Sequence, residues 1–140
     1  MCIGASWTFG GHAPTLAALQ RAVRPGGLVV VGEPFWRKTP EADFLSASGH
    51  EATSFGTHPT NVSSGTDLGL VFLYTLVSSE DDWDRYEGLQ WRAAERYAMT
   101  HPEDPDAAEI LTRQRTYRDI YLRWQRDTLG WAIYLFQAQA

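Results

Sequence analysis

The spacing of hydrophobic positions changes several times along the chain and divides it into strands and helices. Residues 2–5 are small and apolar, and they predict a brief buried strand. From Ala13 onward, apolar residues recur every three or four positions, which predicts a helix. The helical face consists of Leu16, Leu19 and Val23. The unbroken apolar run at 28–31 predicts a strand buried on both faces, so these segments together predict a right-handed βαβ unit.

The middle of the chain has little periodicity. Residues 33–67 are rich in Gly, Ser, Thr, Pro and His, and they predict a loop with a short helix near 60–69. A loop of this length inside a compact domain is usually a lid, a binding loop or a disordered segment. Residues 70–77 are apolar again and predict a third strand.

The last third of the chain predicts two long helices and a final strand. Ser79 and the three acids after it match a capping box, which begins a helix over 79–99. A second helix is expected over 105–128, ended by Gly130, and a strand follows at 131–136. The apolar side of the first helix is Trp83, Tyr86, Leu89, Ala93 and Tyr97, and that of the second is Ile110, Tyr117, Ile120, Tyr121 and Trp124.

The order of these elements predicts an α/β fold in a single domain, residues 1–140, with helices inserted at about 79–129. The net charge of −5 gives no reason to expect a nucleic-acid partner. Cys2 is the one cysteine, so an internal disulfide is excluded and a reducing compartment is favoured. The sequence has no apolar run of membrane-spanning length and no signal-peptide pattern, so we expect a cytoplasmic protein without a membrane partner.

Chemically distinctive residues follow two neighbouring strands of the predicted parallel sheet. The first strand is followed by Ser6 and Trp7, with His12 close behind, and the second by Glu33-Pro34-Phe35-Trp36. Ligands of open α/β sheets bind outside the carboxyl ends of the strands, and both ends here point the same way. A hydroxyl, an imidazole, a carboxylate and two indoles are therefore expected to converge on a small-molecule site.

Each of these residues also has a purely structural interpretation. Glu33 could cap the loop or pair with Arg37, and Trp36 could belong to the core. His12 could cap backbone amides at the start of a helix, and Ser6 could simply form a turn. The four histidines and the cysteine show no metal-ligand spacing, so no metal is expected. The segment 4–8 departs from a hydrolase nucleophile elbow at its last position.

Three segments together resemble the class I S-adenosylmethionine-dependent methyltransferases. They are Cys-Ile-Gly-Ala-Ser-Trp at 2–7, the pair Gly10-Gly11, and Val-Arg-Pro-Gly-Gly-Leu-Val-Val-Val-Gly-Glu-Pro-Phe-Trp at 23–36. In that family an Arg-Pro-Gly-Gly turn precedes the fifth strand. The stretch from Ser79 and the two helices after it resemble one bacterial branch, in which helices are inserted between the last two strands.

The resemblance implies a Rossmann-like half-sheet. By similarity, residues 2–5 are the family's fourth strand, 28–32 the fifth, 70–77 the sixth and 131–136 the antiparallel seventh. The order of these strands in the family's sheet is 4-5-7-6. The family's Gly-x-Gly loop and the acidic residue that holds the ribose are absent from the sequence, so the cofactor-binding residues are unknown and we expect the chain alone to be inactive.

The function that the resemblance implies is methyl transfer from S-adenosylmethionine to a small-molecule acceptor. Glu33 is the candidate catalytic base, with Trp7, Phe35 and Trp36 as pocket walls. Ser6 and His12 are expected to line the site. The alternative is a non-catalytic binding or assembly domain that docks on a partner.

The first strand is also a candidate contact between copies of the chain. Its outer edge has no charge or proline to prevent pairing with another strand. We therefore expect a homodimer joined near residues 1–11, or aggregation.

Overall fold

The computed structural model describes residues 1–139. In chain order its elements are β1 (Cys2–Ile3), a 3₁₀ helix (Ser6–Phe9), α1 (His12–Ala22), β2 (Leu28–Trp36), α2 (Ala42–Ser48), α3 (His58–Thr66), β3 (Val71–Val77), α4 (Glu80–Thr100), α5 (Ala107–Ile120), a π-helical segment (Tyr121–Gln125), α6 (Arg126–Thr128) and β4 (Leu129–Gln137). They form two compact units. The sheet unit comprises residues 1–39, 52–77 and those from 129 onward, and the helical unit comprises 40–51 and 78–128.

The sheet unit is built on four strands in the order β1-β2-β4-β3. β1 runs parallel to β2, whereas β4 is antiparallel to both β2 and β3. The predicted α/β class is therefore confirmed as a mixed sheet, and the four apolar segments lie in the spatial order that we expected. Their correspondence to numbered strands of the methyltransferase family stays a prediction.

One face of this sheet forms the core. Side chains alternate between the two faces of a strand, so Val29, Val31 and Phe35 of β2 lie on the same face. Tyr134 and Phe136 of β4 join them in the buried cluster. Leu16 of α1 packs against this cluster, as the helical spacing predicted. Burying one such apolar side chain contributes about 1.5–3 kcal/mol, which holds the helices on this face.

The first strand is shorter and more exposed than the sequence indicated. β1 ends at Ile3, because Gly4 turns the chain with a φ of 64°. The strand pairs with β2 on one side, and Ile3 is 41% exposed. The expectation of a buried strand over 2–5 was therefore wrong. Ser6 and Trp7 lie in the 3₁₀ helix that follows.

The region 33–67 is more regular than predicted. β2 continues through Trp36, because β4 pairs with it along its whole length, from Leu28 opposite Gln137 to Trp36 opposite Leu129. Glu33 thus lies inside a strand and not in a loop. The short helix predicted near 60–69 is present as α3, whereas α2 was not predicted.

The helical unit contains both predicted long helices. The capping box of α4 is confirmed, with the Ser79 side chain and Asp82 each accepting a backbone N–H from the other residue. α5 continues through the π-helical segment and α6, which ends at Thr128. We had expected Gly130 to end this helix, and this prediction was wrong. Gly130 lies in β4, where a Cβ would collide with the ring of Phe35. Along residues 1–139, the structure contains no helix that is long and apolar enough to cross a membrane.

Aromatic packing holds the helical unit together. The ring of Tyr121 is buried and contacts those of Trp83 and Trp91, and Phe44 of α2 stacks on Trp124. Other residues of the predicted apolar helix faces are exposed. They are Tyr86, Leu89, Ala93 and Tyr97 of α4 and Tyr117 of α5.

Candidate functional site

A serine and a glutamate form a buried pair in the sheet unit. The hydroxyl of Ser6 donates a hydrogen bond of 2.7 Å to Oε1 of Glu33. The backbone carbonyl of Ser6 accepts from the amide of Gly11 at 3.0 Å, which fixes the end of the 3₁₀ helix. The hydroxyl of Thr15 of α1 donates to the carbonyl of Gly11 at 2.7 Å and lies 3.4 Å from the carbonyl of Ser6. The turn after β1 and the middle of β2 are therefore joined through side chains that the sequence placed together.

The second oxygen of Glu33 has no partner. Glu33 is only 7% exposed, and its Oε2 makes no hydrogen bond with any residue between 1 and 139. Burial raises the pKa of this carboxyl, because the charged form loses its hydration, and the bond from Ser6 offsets part of this rise. A carboxylate in this state can accept a proton or a hydrogen bond from a ligand.

His12, at the start of α1, offers a second acceptor. Its Nε2 lies 2.9 Å from the backbone carbonyl of Asn61. A carbonyl only accepts, so Nε2 must carry the proton, and Nδ1 of the neutral ring has a free lone pair. That nitrogen is buried and has no hydrogen-bond partner in the described part of the chain. Burial lowers the pKa of His12, which favours the neutral ring.

Tyr134 of β4 links α3 to this cluster. Its Oη accepts from Nδ2 of Asn61 at 3.2 Å and lies 3.0 Å from Nδ1 of His58. The tautomer of His58 decides which of these two groups donates the hydrogen bond. Nδ2 of Asn61 also contacts the carbonyl of Pro34 at 3.3 Å. Burial raises the pKa of Tyr134 to about 12, so its hydroxyl stays protonated at neutral pH.

The three predicted aromatic walls have different surroundings. Phe35 is buried beside the cluster, with its ring centroid 5.0 Å from that of His58. Trp36 is buried too, but alternation along the strand directs it to the other face, where it packs on Phe55 and donates to the carbonyl of Ala52. Trp7 is 78% exposed, so it is not packed into a pocket with the other two. The structure therefore does not bring the indoles of Trp7 and Trp36 together in one pocket, as we had expected from the sequence.

The structure thus pairs Ser6 with Glu33 and places His12 beside Tyr134 and Phe35 beside His58, two residues that the sequence did not single out. Tyr134 could have been found from the alternation of Ala132, Tyr134 and Phe136 in the last strand. His58 and Asn61 lie in α3, whose start is marked by Thr57 as N-cap and a proline in the first turn. Within residues 1–139, no group of His, Cys, Asp and Glu is arranged to hold a metal ion.

Comparison with known proteins places this geometry in context. No family model matches the chain. The uncharacterized protein YjhP of Escherichia coli K12 is 32% identical to it over 140 residues, which is 99% of this chain and 56% of YjhP. A methyltransferase from Geobacter sulfurreducens, solved in complex with S-adenosyl-L-homocysteine, is 31% identical and has a TM-score of 0.88. The corresponding enzyme from Thiobacillus denitrificans, in complex with the same molecule, is 33% identical with a TM-score of 0.87.

Both structural matches cover 99% of this chain and 56% of the matched protein. The chain therefore spans about half the length of its relatives, 56% in the case of YjhP. Because the agreement extends over nearly every residue, the chain has the fold of the class I S-adenosylmethionine-dependent methyltransferases.

Proposed function

We propose that this chain is the C-terminal, acceptor-side part of an S-adenosylmethionine-dependent methyltransferase that methylates a small molecule. One observation carries the proposal: 99% of the chain matches two such enzymes, both in complex with S-adenosyl-L-homocysteine, at TM-scores of 0.88 and 0.87. No observation of comparable weight favours the alternative of a non-catalytic docking domain.

Glu33 is the proposed base. S-adenosylmethionine supplies a methyl group on a sulfonium sulfur, which makes that carbon electrophilic. An N–H or O–H acceptor must lose a proton as it forms the new bond to carbon, and Oε2 of Glu33 takes this proton. Ser6 occupies the other oxygen, which leaves Oε2 as the free acceptor. The raised pKa of Glu33 makes it a stronger base than an exposed carboxylate.

The other site residues orient the acceptor in this proposal. Nδ1 of His12 accepts a second hydrogen bond, which restricts how the acceptor can turn. Phe35 forms the apolar side of the cluster, and the exposed Trp7 is proposed to contact the ligands at its margin. Two unpaired buried acceptors accord with an acceptor molecule that donates hydrogen bonds beside a cationic cofactor.

In this proposal, most of the residues that bind the cofactor lie in sequence beyond these 140 residues. The Gly-x-Gly loop and the ribose-holding acid of the family are absent from the chain. We therefore expect calorimetry of this chain with S-adenosylmethionine to give no saturable heat below millimolar cofactor. A micromolar dissociation constant would contradict this division of the site.

The catalytic assignment is tested in a full-length relative that carries the same segments. Glu33→Gln is expected to lower kcat about 10²-fold or more, because proton transfer to a positioned base contributes on this scale. Production of S-adenosylhomocysteine measures turnover, and Glu41→Gln, at an exposed position, is the matched control. An unchanged rate in the correctly folded Glu33→Gln variant would give Glu33 a structural role.

A further inference from the structure

α4 has an apolar stripe on its exposed side. Tyr86, Leu89, Ala93 and Tyr97 follow one another at spacings of three, four and four, so they lie on one face of the helix. All four are exposed, and Leu89 is 57% exposed. A stripe of this spacing is the pattern with which one helix packs on another. The helical unit therefore presents a helix-packing surface that no described residue covers.

A groove lies beside this stripe, between α4 and α5. Its volume is about 550 Å³, and Leu89, Ala93, Tyr97, Ile110 and Gln114 contribute to its lining. The small side chain of Ala93 leaves space between the larger residues on either side. Large side chains from a facing helix can enter such a gap, as ridges enter grooves in helix packing.

The exposed side of α4 carries opposite charges at its two ends. Asp81 and Asp82 lie in its first turn, where the third acid, Glu80, is already paired with Arg126. Arg92 and Arg96 flank the stripe in its second half, and their side chains make no ion pair or hydrogen bond with residues 1–139. A helix with this pattern is complementary to itself when the second helix runs in the opposite direction.

We propose that a second copy of this chain binds here, with the two α4 helices packed antiparallel about a two-fold axis near Leu89. This axis sets Arg96 of one copy level with Asp82 of the other. It sets Arg92 level with the partner's Tyr86, an arrangement that suits cation–π contact. Each α4 is 21 residues long, or about 32 Å, so the stripe runs along most of the contact.

The surface composition supports a protein partner of this kind. Tyrosine and arginine are enriched among the residues that dominate binding energy; tyrosines lie in the stripe, and Arg92 and Arg96 flank it. Two helical hairpins that join through such faces form a four-helix arrangement, which is a common way to bury exposed helix stripes. This inference is independent of the proposed catalytic function and of the predicted contact at β1.

Sedimentation velocity on the purified chain, over a series of concentrations, tests the proposal. The wild-type chain is expected to dimerise, and Leu89→Glu is expected to raise the dissociation constant about tenfold or more, because two like charges would meet at the axis. Leu122→Glu makes the same change at an equally exposed position of the helical unit outside the groove, and it should leave the dimer intact. Circular dichroism establishes that both variants fold.

A charge reversal makes the test specific to the antiparallel arrangement. Arg96→Asp should weaken the dimer, because residue 96 lies level with the partner's Asp82 and two acids would then meet, whereas Arg96→Lys keeps the charge and should preserve the dimer. A chain that is monomeric at every concentration would overturn the proposal. So would a dimer that tolerates Leu89→Glu but is broken by Ile3→Lys, because that result would locate the contact at the β1 edge.

Discussion

The sheet unit buries a cluster of hydrogen-bonded polar side chains, whereas the ion pairs of the helical unit lie at or near its surface. In the sheet unit, Ser6, Glu33 and Asn61 are buried and bonded to one another or to nearby backbone. In the helical unit, Arg115 and Glu95 form their ion pair at the surface, with both side chains largely accessible to water. The first arrangement costs stability wherever a partner is missing, whereas the second costs little and contributes little.

The sheet unit therefore has the features of a ligand site, and the helical unit has those of an association surface. Unpaired acceptors at Glu33 and His12 are costly to bury, and such groups are typical of sites that bind or transform a ligand. The helical unit instead exposes apolar side chains such as Leu89 and Tyr117, which is typical of association surfaces. We therefore expect substitutions to affect catalysis mainly in the sheet unit and association mainly in the helical unit.

The largest contrast is expected from one substitution made in both units. Tyr134→Ala should lower the free energy of unfolding by about 3–5 kcal/mol, because it empties a fully buried aromatic position and breaks the bonds to Asn61 and His58. Tyr117→Ala should change it by less than about 0.5 kcal/mol, because Tyr117 is 56% exposed. Urea denaturation followed by circular dichroism measures both.

Tyr134→Phe separates the two causes in the buried position. It keeps the ring and removes the hydroxyl, so a loss of about 1–2 kcal/mol is expected from the unpaired groups alone. Equal losses for Tyr134→Ala and Tyr117→Ala would show that the two units do not differ as described.

The contrast between the units also explains which features could be predicted from the sequence. The capping box at Ser79 and the periodicity around Leu16 are local signals, and both predictions were confirmed. The end of β2 was placed too early, because Glu33 and Pro34 are poor strand formers. Their strand conformation comes from pairing with β4, about one hundred residues away, and no local pattern reports that contact.

The candidate site was likewise predictable only in part. Ser6, His12 and Glu33 could be grouped because strand ends in a parallel sheet meet at one edge. Tyr134 approaches from an antiparallel strand and Asn61 from a helix within a polar stretch, so their positions depend on tertiary packing. The exposed stripe of α4 was mistaken for an ordinary apolar face, because periodicity shows that a face is apolar and not what covers it.

An intermediate effect is expected from pH. Burial raises the folded-state pKa of Glu33 above its ordinary value of 4.5, so its contribution to stability is fully present below that pH. It is lost as the pH rises through the folded-state pKa. Glu33→Gln cannot ionise, so the variant should gain stability relative to the wild type between pH 4 and pH 7.

The measurement is the difference in unfolding free energy between variant and wild type across this range. Glu87→Gln is the matched control in the helical unit, where burial also raises the pKa of the carboxyl but the residue is only half-buried. A smaller change in the same direction is expected there. A difference for Glu33→Gln that is independent of pH would mean that this carboxyl titrates normally in the folded chain.

The smallest effect is expected for the surface ion pair of the helical unit. Arg115 donates to both carboxylate oxygens of Glu95, at 2.9 and 3.0 Å, and this geometry holds the pKa of Glu95 below its usual range. Both groups are accessible to solvent, so water and salt replace most of the attraction once the pair is broken. Arg115→Ala should therefore lower stability slightly in dilute buffer and have almost no effect in 1 M NaCl.

Arg115→Lys keeps the charge but loses the paired geometry, so its effect should fall between those of the wild type and Arg115→Ala. Loss of stability that persists in high salt would show that Arg115 acts through packing of its stem, and the helical unit would then depend on its surface more than the comparison allows.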